Sequence, residues 1–313
     1  MKPPHARELG EGRLLLDLGF RDHEGLVASY LLPQEEGFTL VETGPTTCRE
    51  PLRAGLASAG IDPTEIRRVL VTHIHLDHAG GLGAAARMFP NARLYVHEAG
   101  VAHMVDPSRL IASARRAWGA AADPLWGPIE AVPAARIEAL RGGERLSLRG
   151  GALEVLATPG HARHHLAFFD ERLRALLTGD AAGVHLEGSW RARPAVPPPD
   201  LDLEALFASL DAMAHLAPRQ ILYSHFGPAG GAVEALRSHR RAVEEWRDAA
   251  LAAAREDPSP AHVARAIRSQ EEAAAAAAGG RAAGEDPGEL VSGYDLAAQG
   301  LLRYFRTRGE IPG

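Results

Sequence analysis

The chain has 313 residues, enough to bury a sizeable core, and its 46% hydrophobic and 24% charged composition is ordinary for a folded, water-soluble protein. Its formal net charge of −6 comes with no block of basic residues, which argues against a nucleic-acid-binding surface. A single cysteine, Cys48, excludes an intrachain disulfide framework; no run approaches the ~20 apolar residues of a membrane helix and the first residues lack an apolar signal core, so a cytoplasmic protein is expected.

Taken in chain order, Arg13 to Leu18, Leu26 to Leu32 and Phe38 to Val41 read as successive short strands separated by glycine and charged turn residues. The segment from Gly44 to Gly60 has helical spacing, with Leu52, Leu56 and Ala59 on one side and Gly60 to end it. Ile66 to Val71 is a strand, a helix runs through Gly81 to Phe89, and Ala92 to Val96 is again a strand. This alternation predicts an α/β class. From Gly100 to Pro133 the pattern is helical and broken by prolines. Strands return at Leu146–Leu148, Leu153–Leu156, Leu166–Phe169 and Leu173–Leu177. Gly183 to Asp200 is a long Pro-rich connection, of a length that is usually functional or mobile. A helix over Leu203–Leu216 and a strand over Gln220–Tyr223 follow.

After about Gly231 the chain turns Ala-rich and helical with no strand signal. The low-complexity run from Glu271 to Gly288 reads as either mobile or helical. The expected organisation is a catalytic stretch over residues 1–231 and a helical extension over 232–313. The extension is expected to cover a site mouth or a subunit interface.

The chemistry concentrates in THIHLDHAGG, Thr72 to Gly81. His73 and His75 are two apart on an extended segment and so point to one side, and Asp77 and His78 lie where the chain turns into a helix. A polar surface loop with coincidental histidines is the competing reading, and three later segments weigh against it. TPGHARHH places His161, LLTGDAAG places Asp180 and ILYSHFGP places His225, each after an apolar strand and a small or turn residue. Seven ligand-type residues then come from four strand ends, where open α/β layers commonly place sites. Neutral imidazole and carboxylate suit zinc, iron or manganese.

Together these motifs resemble those of the metallo-beta-lactamase superfamily over roughly residues 10 to 230. The resemblance implies a four-layer αββα sandwich and two divalent transition-metal ions, zinc first, with iron or manganese also accommodated. By the same resemblance His73, His75 and His161 hold one ion, Asp77, His78 and His225 hold the other, and Asp180 bridges both. Such a pair can share a hydroxide, generate a nucleophile at neutral pH and polarise a carbonyl. Asp77 and Asp180 are the expected catalytic carboxylates, Asp77 as a proton acceptor and Asp180 as the fixed bridge. No organic cofactor is expected. Many members carry Asp in an early LVDTG segment that supports the metal loop; here Glu42 stands in Leu40–Gly44, with a surface-turn carboxylate as the alternative.

Fold alone does not give the reaction. Members that hydrolyse β-lactams lack the bridging Asp, so Asp180 argues against that branch. Diiron flavoproteins have Glu where His75 stands, and the tRNA-processing nucleases carry an RNA-binding arm with no counterpart here. Glyoxalase II and the quorum-quenching lactonases keep all seven ligands. One lactonase type has Tyr three positions after the bridging Asp, where this chain has Gly183. The expected function is hydrolysis of an ester, thioester or lactone of a small molecule by a metal-bound hydroxide, with a homodimer left open. A mononuclear-iron persulfide dioxygenase using His73, His161 and Asp180 is the alternative in a second class, and a non-catalytic metal-dependent binding protein is a third.

Several residues carry weaker signals. Trp190, Arg191 and Arg193 could meet an anionic or aromatic substrate, or simply anchor and solvate their loop. Arg109 and Trp118 are better read as packing than as pocket lining. His165 could orient a ligand, His97 reads as structural, and Cys48 reads as a small, partly buried residue rather than a nucleophile. His5, His23, His185, His215, His239 and His262 match no ligand pattern.

Overall fold

The structure, a computed structural model, describes residues 6–279 and 287–313. His5 and residues 280–286 of the low-complexity run therefore lie outside the described residues. The chain divides into two compact units, Met1–Ala157 with His164–Gly179, and Thr158–Arg163 with Asp180–Gly313.

The first unit holds a seven-stranded sheet in strand order β1 to β7: β1 (Ala6–Gly10), β2 (Arg13–Asp17), β3 (Ala28–Pro33), β4 (Phe38–Val41), β5 (Ile66–Leu70), β6 (Arg93–His97) and β7 (Ile137–Leu140). The first four pair antiparallel, as short turns between them allow. β4 to β7 run parallel, each joined to the next by a helical crossover. Those crossovers carry α1 (Arg49–Ser58), then α2 (Leu76–Ala79) and α3 (Leu82–Met88), then α4 (Glu98–Val105), α5 (Ser108–Trp118) and α6 (Ala122–Trp126). β3 is buried along its whole length, which is why it reads as an apolar run rather than an alternation. Four antiparallel strands follow in the same unit: β8 (Arg145–Leu148), β9 (Gly151–Ala157), β10 (Leu166–Asp170) and β11 (Ala175–Leu177). Phe168 sits in register with Val155 on one side and Leu177 on the other. Arg13 of β2 reaches Asp170 at the end of β10, Nε to Oδ2 at 2.5 Å, and both side chains are buried.

The second unit contains α7 (Leu203–His215), the antiparallel pair β12 (Gln220–Tyr223) and β13 (Gly227–Gly230), and three helices, α8 (Ala232–Glu256), α9 (Pro260–Ala277) and α10 (Tyr294–Arg308). α8 buries Leu236, His239, Ala242, Val243 and Trp246, the three-and-four spacing of a single helix face. α9 starts with Pro260 at its first turn, where the missing N–H costs nothing. The low-complexity run continues α9 as far as Ala277, so its Ala tract is helical there.

The α/β class, with two sheets and a helical C-terminal part, is as expected. Three strands were not expected: β1, β7 and β13. β13 is Gly-Pro-Ala-Gly, which has no strand propensity; it is a strand because Leu222 and Tyr223 supply the ladder opposite Pro228 and Gly227.

Candidate metal centre

In the first unit the site grows from two adjacent parallel strands. β4 and β5 end on the same side, and the ladder continues one step beyond them through Glu42 N–H donating to the Leu70 carbonyl at 2.9 Å. That places Glu42 beside Thr72 and the histidines that follow. His75 is the N-cap residue of α2, and Asp77 lies in its first turn, where the helix dipole favours a negative charge. His73 and His78 are fully buried, while His75 and Asp77 are partly exposed.

The hydrogen bonds fix which ring nitrogens carry lone pairs. Thr72 Oγ1 donates to Glu42 Oε1 at 2.6 Å, so it accepts from His73 Nδ1 at 3.0 Å. His78 Nδ1 donates to the same Glu42 oxygen at 3.2 Å. Both rings therefore turn an unprotonated Nε2 outward. His73 Nε2 lies 3.0 Å from His75 Nδ1, and His78 Nε2 lies 3.8 Å from Asp77 Oδ2.

The second unit brings together the other three residues. His161 Nδ1 donates to the Ala195 carbonyl at 2.8 Å, which leaves its Nε2 as a lone-pair donor. That Nε2 stands 3.6 Å from Asp180 Oδ2, and His225 Nε2 stands 3.5 Å from Asp180 Oδ1. Two ligands of one tetrahedral zinc, each about 2.0–2.2 Å from the ion, are about 3.3–3.6 Å from each other. The second unit's spacings match this and the first unit's 3.0 and 3.8 Å lie to either side of it, and the donor set of imidazole and carboxylate is the one such ions take. Groups of His and Asp side chains among the described residues bring their ligand atoms close enough to hold a metal ion.

The sequence pattern of the metallo-beta-lactamase superfamily matches residues 24–225. The chain belongs to that superfamily. Among solved structures it is similar to a beta-lactamase domain protein from Burkholderia ambifaria, with a TM-score of 0.67, 21% identity, and 97% of this chain and 90% of that one covered. That likeness speaks for the fold. A hydroxyacylglutathione hydrolase from Aeromonas hydrophila is 26% identical over 194 residues, 62% of this chain and 58% of that protein. An atrochrysone carboxyl ACP thioesterase from Aspergillus fumigatus is 28% identical over 162 residues, 50% of this chain and 40% of that protein. The chain spans less than two thirds of the length of the curated relatives it matches.

Within this superfamily member the supporting residues can now be placed. Glu42 is fully buried and through one oxygen holds His78 directly and His73 by way of Thr72, so it is not a surface-turn carboxylate. Its φ of 67° is unusual for a residue with a side chain. Gly179 has a φ of +49°, and a Cβ there would lie 2.5 Å from Thr72 Oγ1 and 2.7 Å from His165 Nε2. Only glycine lets the backbone before Asp180 pass this close to Thr72 and His165. His165 is buried with its ring centroid 4.9 Å from that of His73, in keeping with an orienting role. His164, whose ring stacks at 6.2 Å from His73, and Thr72 escaped the sequence reading. Their signal was adjacency to motif residues, which strand alternation alone does not rank.

Other candidates fall away. Arg191 and Arg193 turn into the C-terminal helices: Arg191 pairs with Glu271 and Glu245, and Arg193 meets the Ser292 carbonyl and the Tyr294 ring. Neither is left to meet a substrate. Trp118 is exposed and packs edge-on against Trp126 at 5.0 Å. His97 caps α4 by accepting from Ala99 N–H at 3.1 Å. Cys48 is fully buried, and burial pushes its thiol up to about 12, which removes it as a nucleophile at neutral pH. Among the described residues no helix is long and apolar enough to cross a membrane.

Proposed function

We propose that this protein is a dinuclear metal-dependent hydrolase that cleaves an ester, thioester or lactone of a small molecule. In this reading His73, His75 and His161 hold one ion, Asp77, His78 and His225 hold the second, and Asp180 bridges them. Zinc is the first choice of metal, with iron or manganese as substitutes. The observation that carries it is the Asp180 carboxylate, which offers one oxygen to His161 Nε2 and the other to His225 Nε2 at 3.6 and 3.5 Å. Each oxygen is thereby placed to share an ion with a different imidazole, which supports a bridging role. Further support comes from relatives named as a hydroxyacylglutathione hydrolase and a carboxyl ACP thioesterase.

Bound divalent ions would supply Lewis acidity and a water acidic enough to act as a nucleophile at neutral pH. The chain supplies the rest. Asp180 fixes the spacing of the two ligand sets, Asp77 takes up the proton that the leaving group will need, and Glu42 keeps His73 and His78 in the ligating tautomer. The proposal keeps residues 1–231 as the catalytic stretch, with 232–313 as a helical extension. It also keeps a cytoplasmic setting with neither nucleic-acid nor membrane partners, and a homodimer as the assembly to test for.

Elemental analysis of purified protein, joined to a panel of thioesters, esters and lactones, tests this reading. About two transition-metal ions per chain with turnover on that panel is the expected result. Asp180→Ala should lose at least one ion and most of the activity; unchanged metal content there would sink the bridge. A single iron with O₂ uptake on glutathione persulfide would instead make the protein a dioxygenase.

A further inference from the structure

The Pro-rich connection from Gly183 to Asp200 touches every ligand-type residue of the second unit. Gly183 N–H donates to the Asp180 carbonyl at 2.9 Å. His185 pairs its backbone with that of His225 and its neighbour, His185 N–H to the His225 carbonyl at 2.5 Å and Phe226 N–H to the His185 carbonyl at 3.2 Å. Ala195 gives its carbonyl to His161 Nδ1. Val184 and Arg193 close the base of the segment with two backbone hydrogen bonds, at 2.9 and 2.7 Å.

The same segment is gripped from behind by the C-terminal helices. Arg191 is buried and forms a forked pair with Glu271 of α9, Nε to Oε1 at 3.2 Å and Nη2 to Oε2 at 2.7 Å. Its remaining nitrogen reaches Glu245 of α8 at 2.6 Å, and Trp246 Nε1 donates to the same Glu271 oxygen at 2.8 Å. His239 of α8 donates to the Ala192 backbone, and Ser292 Oγ donates to the Pro194 carbonyl at 2.8 Å.

We infer that the buried Arg191–Glu271 pair is a positioning device: through residues 183–200, helices α8 and α9 hold His161, Asp180 and His225 in the geometry that takes metal. The inference rests on the metal reading proposed above. Magnitudes favour it over a purely stabilising role. A buried ion pair costs several kcal/mol per ion in lost hydration, and replacing it by apolar groups of like volume is often neutral for stability. What such a pair does supply is register, because a guanidinium fork accepts a carboxylate in few orientations. An irregular segment of this length would otherwise sample many backbone states, and the Ala195 carbonyl that orients His161 would move with it.

The test uses the full-length metal-loaded protein. Arg191→Met/Glu271→Gln removes both charges while leaving an acceptor for Trp246 Nε1, so it avoids an orphaned buried ion. Tyr304→Phe serves as the control, since it removes a hydrogen bond to Glu204 in the same unit without touching residues 183–200. Metal retention is titrated with a chelator, the visible spectrum is recorded after cobalt substitution, and thermal unfolding is followed by circular dichroism. The expected result is that the double variant folds, binds metal about tenfold more weakly and shows altered cobalt bands, as changed ligand support does elsewhere. Arg191→Lys should recover part of the affinity, and Tyr304→Phe should bind metal like the wild type. Wild-type metal affinity and cobalt bands in the folded double variant would overturn the inference, as would an equal loss in the control. A wild-type protein that takes no metal would overturn the metal reading and the inference with it; a metal-binding wild type with unaltered variants overturns the inference alone. Should the double variant fail to fold, Glu271→Gln, which changes one atom, is judged by the same readouts and outcomes.

Discussion

Gly183 has no room for a side chain because the ring of His239 lies against it. A Cβ at Gly183 would stand 2.4 Å from His239 Cε1 and 2.3 Å from the Arg193 carbonyl oxygen, and its φ of +77° already favours glycine. Any residue here must push backbone as well as ring. Gly183→Ala should therefore cost at least about 2 kcal/mol, combining left-handed strain with overpacking. Removing the ring with His239→Ala in the Gly183→Ala background should not restore stability, since the Arg193 carbonyl remains. Denaturant midpoints of the three variants check this, and full rescue by His239→Ala would show that the ring alone sets the limit. The same geometry explains why this member cannot carry the tyrosine that one lactonase type has at this position.

His239 itself gives a pH signature. Burial lowers its pKa to about 4 from the ordinary 6.5, with the Ala192 carbonyl and Asp180 opposing and Arg191 and His161 pushing the same way. Above about 6.5 neither the native nor the unfolded ring is protonated, and this site contributes no slope. Between 6.5 and about 4 the unfolded chain takes up a proton that the native state refuses, so stability falls as pH falls. The loss approaches roughly 3 kcal/mol at its full extent. Unfolding free energies of the metal-free protein at pH 7 and pH 4.5 should differ by less in His239→Gln than in the wild type. An equal difference in both would remove His239 as the source.

Much of this was legible from side-chain pattern and some was not. THIHLDHAGG was legible because an apolar strand ends in four ligand-type side chains, and the structure ties His78 directly, and His73 through Thr72, to one Glu42 oxygen. Glu42 itself was only half legible: its charge could be read, but its burial and its φ of 67° depend on β4 and β5 being parallel neighbours. Arg191 and Arg193 were ambiguous because an arginine after a ligand strand serves a substrate or a carboxylate equally well. Glu271, 80 residues along the chain from Arg191, decides the matter, and nothing local links the two. β13 was invisible because its partner strand, not its own composition, makes it a strand.

Glu42 offers a way to separate backbone strain from ligand support. One oxygen accepts from Thr72 and from His78, and through Thr72 it also governs His73. Glu42→Ala should weaken metal binding by about 10–100-fold. Glu42→Gly should weaken it as much while recovering about 1 kcal/mol of the strain held at positive φ. Thr72→Val leaves His78 supported and should lose less affinity than either. Chelator titration gives the affinities and thermal unfolding of the metal-free forms gives the strain. Equal metal affinity in Glu42→Ala and the wild type would mean that the histidines hold their tautomers without it.

The pair Arg13–Asp170 tests how the first unit is held together. Arg13 comes from β2 and Asp170 from the end of β10, both are 1% exposed, and they meet at 2.5 Å. Asp170 also uses Oδ1 to accept from the Arg172 and Leu173 backbone, at 3.0 and 3.2 Å, which closes the turn after β10. Arg13→Met strands a buried carboxylate and should cost about 3–5 kcal/mol, whereas Asp170→Asn leaves Arg13 the part-exposed Glu11 carboxylate at 3.5 Å and should cost less. Arg13→Met/Asp170→Asn strands neither charge and keeps an oxygen for the turn, so it should lie within about 1–2 kcal/mol of the wild type. Denaturant unfolding of the four proteins closes a double-mutant cycle, with an interaction energy of the same order as the single losses. Additive losses would mean that the two side chains contribute independently and that the contact does not couple β2 to β10.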